Sequence, residues 1–120
     1  MGQYYYITNL DKQEYLHPHK FDDGLKLREL STSSCGTMTG LAILLAVGNG
    51  RGGGDIRSKH PMIGSWAGNR IAIVGDYVEA EEFPVTHEDF DDWKDISEKV
   101  LEAMREDEDL AQELGGFKKN

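Results

Sequence analysis

Eight residues between positions 50 and 70 have the types and spacing that anion chemistry requires: Gly50, Arg51, Gly52, Gly53, Gly54, Asp55, Arg57 and Arg70. Successive glycine N–H groups can turn inward to make a concave set of donors, and guanidinium groups add charge and paired N–H groups. The ligand this pattern suits is a phosphate or a nucleotide, such as a signal molecule to be sequestered. The spacing Gly48-x-Gly50-x-x-Gly53 also matches a dinucleotide-binding fingerprint in form. That fingerprint must follow a strand and open a helix, whereas here the glycines follow an apolar run that reads as a helix. No Gly-Lys-Ser/Thr is present, which excludes a P-loop. The competing explanation is conformational: glycine supplies backbone freedom first, and Asp55 can organise such a loop through neighbouring backbone N–H groups.

Other chemistry-bearing residues are sparser. His17-Pro18-His19 sets two imidazoles close together, but nothing at useful spacing completes a metal set, so surface histidines are the expectation and no metal or cofactor is called for. Gly53-Gly54-Asp55 is a single copy of a calcium-repeat fragment and carries no weight without repetition. Cys35 precedes a helical run whose N-terminus would stabilise a thiolate, with His60 or His87 as a base. No nucleophile motif surrounds it, and a small, partly buried residue is the simpler reading. Ser65 lacks a nucleophile elbow, and Asp76 after Gly75 fits a strand-ending turn. No catalytic set is therefore expected.

Charge is distributed more informatively than its total of −9 suggests. Residues 1–75 hold six acids and eight bases, whereas residues 76–113 hold sixteen acids against Lys94, Lys99 and Arg105, a net of −13. A near-neutral body thus carries an acidic arm, which repels nucleic acid directly and attracts basic protein surfaces. Carboxylates about 5–6 Å apart along a helix imitate the charge spacing of a nucleic-acid backbone. Glu88, Asp91, Asp92, Asp95, Glu98 and Glu102 are the candidate protein-binding residues, and a basic groove of a nucleic-acid-processing or defence protein is the candidate partner. A merely solvated helix face is the bland alternative. A second alternative is internal, with the arm folding over Arg51, Arg57 and Arg70 to neutralise them.

The elements that must position these groups follow from periodicity. Tyr4–Leu10 and Glu14–His17 read as strands around an Asp11-Lys12-Gln13 turn, ended by Pro18, which has no N–H to donate. Phe21–Leu30 is ambiguous, with a short helix capped by Asp23 favoured. Residues 37–47 read as a short buried helix, with Gly48 in the left-handed cap position. Ile63–Ala67 and Arg70–Asp76 flank Gly68-Asn69 and predict a two-residue hairpin, pairing Trp66 with Ile71 and placing Trp66, Ile71 and Ile73 on one face. Trp66 is the expected core anchor.

Thr86 with Asp89 makes a capping-box pattern. Phe90, Trp93, Ile96, Val100, Leu101 and Met104 then form one apolar stripe, predicting a helix near 87–105. The alternative is a break at Asp95, with a second helix beyond it. Acids in the first turn suit the helix dipole, each contributing up to about 1 kcal/mol. Leu110 and Leu114 allow one further turn before Gly115-Gly116.

Length and class agree. A chain of 120 residues fits one domain. The longest apolar run is far short of the roughly 20 residues of a membrane helix. The N-terminus shows neither a secretory nor a myristoylation pattern. A single cysteine excludes an intrachain disulfide framework, and a cytoplasmic location without membrane contact is expected. The fold class expected is α+β: a small antiparallel sheet packed on two or three helices in a single domain, 1–114. Within it, 1–77 is a core module and 78–114 the acidic helical arm, and 115–120 form a disordered tail.

Several segments carry a resemblance: Asn9-Leu10-Asp11-Lys12-Gln13-Glu14-Tyr15-Leu16-His17-Pro18, Gly24-Leu25-Lys26-Leu27, Gly50-Arg51-Gly52-Gly53-Gly54-Asp55, and Trp66-Ala67-Gly68-Asn69-Arg70-Ile71 through Gly75-Asp76-Tyr77. Over residues 1–77 the chain resembles an uncharacterised family of small bacterial, archaeal and phage proteins. The resemblance implies a prokaryotic or phage source, hence a host-cytoplasmic setting if phage-encoded, and a module that occurs with variable tails. It lends no catalytic residue, and the acidic arm lies outside it.

Overall fold

Aromatic and β-branched residues at Tyr5–Asn9 form β1, which turns through four residues into β2 (Glu14–Leu16). The computed structural model describes residues 3–53 and 55–114. Gly54 and the tail 115–120 lie outside the described residues, so the expectations made for them do too. The turn closes on Asn9, whose side-chain oxygen accepts the backbone N–H groups of Asp11 and Lys12 at 3.0 and 2.9 Å. Pro18 then starts a single 3-10 turn, Pro18–Phe21.

The sheet has the order β3-β1-β2-β4. Strand β3 (Ile71–Gly75) pairs antiparallel with β1, and β4 (Lys94–Asp95) pairs parallel with β2. Among the described residues three α-helices join the sheet: α1 (Thr37–Leu45), α2 (Ser97–Glu106) and α3 (Glu108–Glu113). The α+β class read from the sequence holds, with a mixed sheet in place of a purely antiparallel one.

Because side chains alternate along a strand, the sheet buries two different faces. Ile7 and Leu16, directly paired, enter a core shared with Leu44, Trp66, Ile96, Val100, Met104 and Leu110. Tyr6, Tyr15, Ala72 and Val74 point the other way and meet Phe83, Val85, Phe90 and Trp93. On that side Tyr6, Tyr15 and Phe90 stack with ring centroids 5.2–5.6 Å apart. Gly40 of α1 lets the helix approach closely, since a Cβ there would lie 3.1 Å from Phe21 and 3.2 Å from Val100.

Four sequence expectations are corrected. Ile63–Ala67 is not a strand: Ile63, Ser65, Ala67 and Asn69 donate to the carbonyls of His60, Met62, Gly64 and Trp66, a run of overlapping turns. Gly64 adopts φ +77°, and a Cβ there would sit 2.6 Å from the Ala46 carbonyl oxygen. The hairpin is therefore absent and β3 takes β1 as its partner. Trp66 is fully buried as the anchor, whereas Ile71 and Ile73 are 38% and 44% exposed.

The stripe Phe90–Met104 is not one helix. A 3-10 turn, His87–Asp91, places Phe90 on one face of the sheet, and β4 carries the chain past the sheet edge. Then α2 places Ile96, Val100, Leu101 and Met104 against the other face, which agrees with the alternative break at Asp95. Phe21–Leu30 holds only a 3-10 turn at Leu27–Glu29, and Asp23 caps no helix of its own. Finally, α1 ends at Leu45 with Ala46 extended, so Gly48, at φ +82°, turns the loop beyond the cap.

His17 lies on the aromatic face, 4.9 Å from the Tyr6 ring, with its Nδ1 buried and without a partner. Burial holds its pKa below the ordinary 6.5, opposed by Asp95 and reinforced by His19 and Lys20. The unfolded chain therefore binds this proton at a higher pH than the folded one does. The contribution of His17 is complete above pH 6.5 and is lost as pH falls through the lower folded value. Between about pH 7.5 and pH 5.5 the thermal midpoint of the wild type should fall more than that of His17→Phe. Equal falls in both would exclude His17 as a source of acid sensitivity.

Candidate functional site

The glycine–arginine loop is closed on itself. The Asp55 carboxylate accepts the N–H groups of Gly50 at 2.6 Å, Arg51 at 3.1 Å and Ile56 at 2.7 Å. These donors, Arg51 first, hold the Asp55 pKa below the ordinary carboxylate value. The inward-turned N–H groups that a phosphate would use thus already face an anion belonging to the chain. Asn49 pins the loop from the other end, donating to the carbonyls of Ile56 and Ser58 at 2.7 and 3.0 Å.

The arginines do not converge. Arg51 and Arg57 are exposed, and Glu113 accepts the backbone N–H of Arg57 at 2.7 Å. Arg70 is held by Asp11 from the β1–β2 turn, through Nε at 2.9 Å and Nη2 at 2.8 Å. Among the described residues, four surface hollows of about 190–500 Å³ are lined without Arg51, Arg57 or Arg70. A cavity of about 190 Å³ beneath the loop is lined by Ala42, Ile43, Ala46, Ile56 and Ile63 with Asp55 at its margin, an apolar surrounding.

The acidic residues divide by role. Asp95 is turned inward: it pairs with Lys20 at 2.7 Å and accepts the Ser97 N–H at 2.9 Å. Burial raises its pKa, but these donors prevail and the net shift is downward. Asp107 caps α3 by accepting from Leu110 at 3.0 Å and takes the Ser58 hydroxyl at 3.0 Å, its pKa lowered chiefly by Leu110. Asp89 accepts the Thr86 N–H at 2.8 Å. Glu88, Asp91, Asp92, Glu98 and Glu102 are exposed.

On α2, Glu98, Glu102 and Glu106 recur every fourth residue and all are exposed. A spacing of four residues sets them about 6 Å apart along one helix face. Glu102 and Glu106 also rim an open hollow of about 500 Å³, with Lys99, Asp107, His60 and Met62 around it. The Nδ1 of His60 accepts the Met62 N–H at 3.1 Å, so this imidazole carries its proton on Nε2. Ser58 is buried and donates to Asp107, so no hydroxyl–imidazole pair is formed here. Glu106 is the member of this row that the sequence reading left out; its i, i+4, i+8 relation to Glu98 was visible in the chain.

Cys35 is partly buried against the core, and its Sγ lies 3.9 Å from the Leu114 carbonyl oxygen. His87, a candidate base by sequence, packs against Tyr6 and Phe90 on the other face of the sheet. Among the described residues no group of three or more His, Cys, Asp or Glu side chains is placed to hold a metal ion. No helix among them is long and apolar enough to cross a membrane. Comparison with protein-family models, with curated proteins and with solved structures gave no match.

Proposed function

We propose that this protein acts as an acidic binding module, presenting one face of α2 to a basic surface of a protein that processes nucleic acid. The observation that carries the reading is the exposed row Glu98, Glu102 and Glu106 beside the hollow at His60. Acids elsewhere in the 76–113 segment (Asp95, Asp107, Glu113) are committed to internal hydrogen bonds, whereas this row is exposed, where guanidinium and ammonium groups can reach it. Regularly spaced carboxylates favour partners whose own charges are spaced for phosphates. Occupation of the partner's groove and exclusion of its nucleic acid would follow. The phosphate-binding alternative at 48–57 and Arg70 has weaker support, because Asp55 fills the donor set and Asp11 holds Arg70 elsewhere.

The test compares two triple variants with equal charge change, using an arginine-rich peptide of about a dozen residues as the probe. Glu98→Gln/Glu102→Gln/Glu106→Gln should weaken binding at least about tenfold at about 0.05 M salt. Glu79→Gln/Glu81→Gln/Glu88→Gln should weaken it by less than about threefold. Equal losses would reduce the effect to net charge and overturn the reading, as would failure of the wild type to bind.

A further inference from the structure

We propose that β3 is a pairing edge for a second copy of this chain, running antiparallel about a twofold axis at Ile73. Of the two edge strands, β4 has two residues and carries Lys94 and Asp95, the short and charged form by which edges avoid association. Strand β3 is the opposite case: Ile-Ala-Ile-Val-Gly, five residues with no charge and no proline.

Its register fixes which groups face outward. Leu10 donates to the Arg70 carbonyl and Asp76 to that of Tyr4, so the residues bonded to β1 are Arg70, Ala72, Val74 and Asp76. Ile71, Ile73 and Gly75 therefore direct their N–H and carbonyl groups away from the sheet. Among the described residues one of these six groups has a partner, the Gly75 carbonyl, which accepts from Val78 at 3.3 Å. The side chains around the edge are apolar and open: Ile71 and Ile73 on it, and Tyr4 and Tyr77 near its end, are 38–54% exposed. A hollow of about 380 Å³ runs beside it, lined by Tyr5 and Ile73 on one side and Val74, Val78 and Phe83 on the other.

Self-complementarity identifies the occupant. With Ile73 opposite Ile73 of the second copy, Ile71 meets Gly75, and every outward donor finds an outward acceptor. The same register sets Arg70 opposite Asp76 twice, once on each side of the axis, in the closer, non-hydrogen-bonded type of pair. Alternation along the strand assigns both residues to one face, and in the single chain each bonds back toward β1 and its turn, Arg70 to Asp11 and Asp76 to the Tyr4 N–H. Arg70 is 74% exposed at its side chain beyond its contact with Asp11, and Asp76 uses one oxygen for the Tyr4 N–H. A slip of two residues in either direction sets Arg70 against Val74 or Val78 and loses both charge pairs. The arrangement also closes, since a twofold pairing consumes the β3 edge of both copies and leaves only the short, charged β4 edges.

Sedimentation of the full chain from about 10 μM to about 500 μM should show its mass rising toward twice that of one chain. Constant single-chain mass over that range would overturn the proposal. Ile73→Lys, which brings two ammonium groups face to face, should remain single while keeping the wild-type circular dichroism. A dimer that survives this substitution would place the interface elsewhere. The register is read independently by crosslinking in a Cys35→Ser background. Ile73→Cys sets two Cα atoms about 5.5 Å apart, within reach of a disulfide, and should crosslink on oxidation. Ile71→Cys separates them by about 14 Å and should not. The reverse pattern would overturn the twofold at Ile73.

Discussion

Replacing Trp66 with alanine is expected to cost about 3–5 kcal/mol of folding free energy, the range for removing a fully buried large aromatic side chain. The residue is 0% exposed and stands where three parts of the chain meet. Its backbone N–H donates to the Leu44 carbonyl at the end of α1, at 2.9 Å. Its indole N–H donates to Glu14 Oε1 at the start of β2, at 2.8 Å. Its ring completes the core formed by Ile7, Leu16 and Met104. Trp66→Phe keeps most of the apolar volume but removes the donor, and should cost about 1–2 kcal/mol. A domain of this size has about 5–15 kcal/mol in total, so the alanine variant should lose a large part of its urea midpoint. Far-ultraviolet circular dichroism follows both variants without relying on tryptophan emission. A loss below about 1 kcal/mol in the alanine variant would show that the core does not depend on this side chain.

That anchor was legible because a lone tryptophan in a segment rich in glycine and small residues has few other uses. Strands β1 and β2 were legible as well, since Tyr4–Ile7 and Tyr15-Leu16 are strand formers on either side of a turn. What misled the sequence reading was periodicity that two structures satisfy equally. Phe90 and Trp93 stand three apart, as do Trp93 and Ile96, so a single helix accounts for them. The structure accounts for them by sending Phe90 and Ile96 to opposite faces of a sheet. Only the long-range pairing of Lys94 and Asp95 with Glu14 and Tyr15 decides between the two, and spacing carries no trace of it. Gly68-Asn69 misled in a similar way. Gly68 does take positive φ, at +85°, as such a turn requires, yet the preceding residues coil rather than extend because α1 supplies the acceptors for Gly64 and Trp66.

The candidate sites were legible in unequal measure. Asp55 organises its loop as the local sequence allows, because donor and acceptor lie within five residues of each other. The destination of Arg70 was not legible, since its partner Asp11 is 59 positions away. The same holds for Asp95, which sits among exposed acids in the sequence yet pairs with Lys20, 75 positions away. Composition marks residues 76–113 as acidic but cannot separate carboxylates that face solvent from those that cap, pair or pin.

Asp23 is the extreme case, and its removal is expected to cost about as much as that of Trp66. Read in sequence, it caps a helix that does not form. In the fold its side chain reaches α1 and the loop before it, in a residue only 3% exposed. One carboxylate oxygen accepts the Ser33 N–H at 2.8 Å and the Thr32 hydroxyl at 3.0 Å. The other accepts the Thr37 N–H at 2.8 Å and hydroxyl at 2.7 Å. The first N–H groups of a helix have no partner within it, and the N-cap, Gly36, has no side chain to offer, so Asp23 satisfies α1 from 14 positions away. Each buried donor left without an acceptor costs about 1–3 kcal/mol, so Asp23→Ala should lose about 3–5 kcal/mol, against about 1 kcal/mol for Thr37→Val. Burial raises the Asp23 pKa, but the donors from Thr37 and Ser33 prevail and bring it below the ordinary 3.8. The sign follows: the unfolded chain takes up this proton first, so the contribution is intact above pH 3.8 and disappears as pH falls through the lower folded value. Asp23→Asn should therefore be less stable than wild type at neutral pH and should converge toward it in acid. A constant gap between the two from about pH 7 to about pH 2 would mean that the carboxylate charge contributes nothing to holding α1 in place.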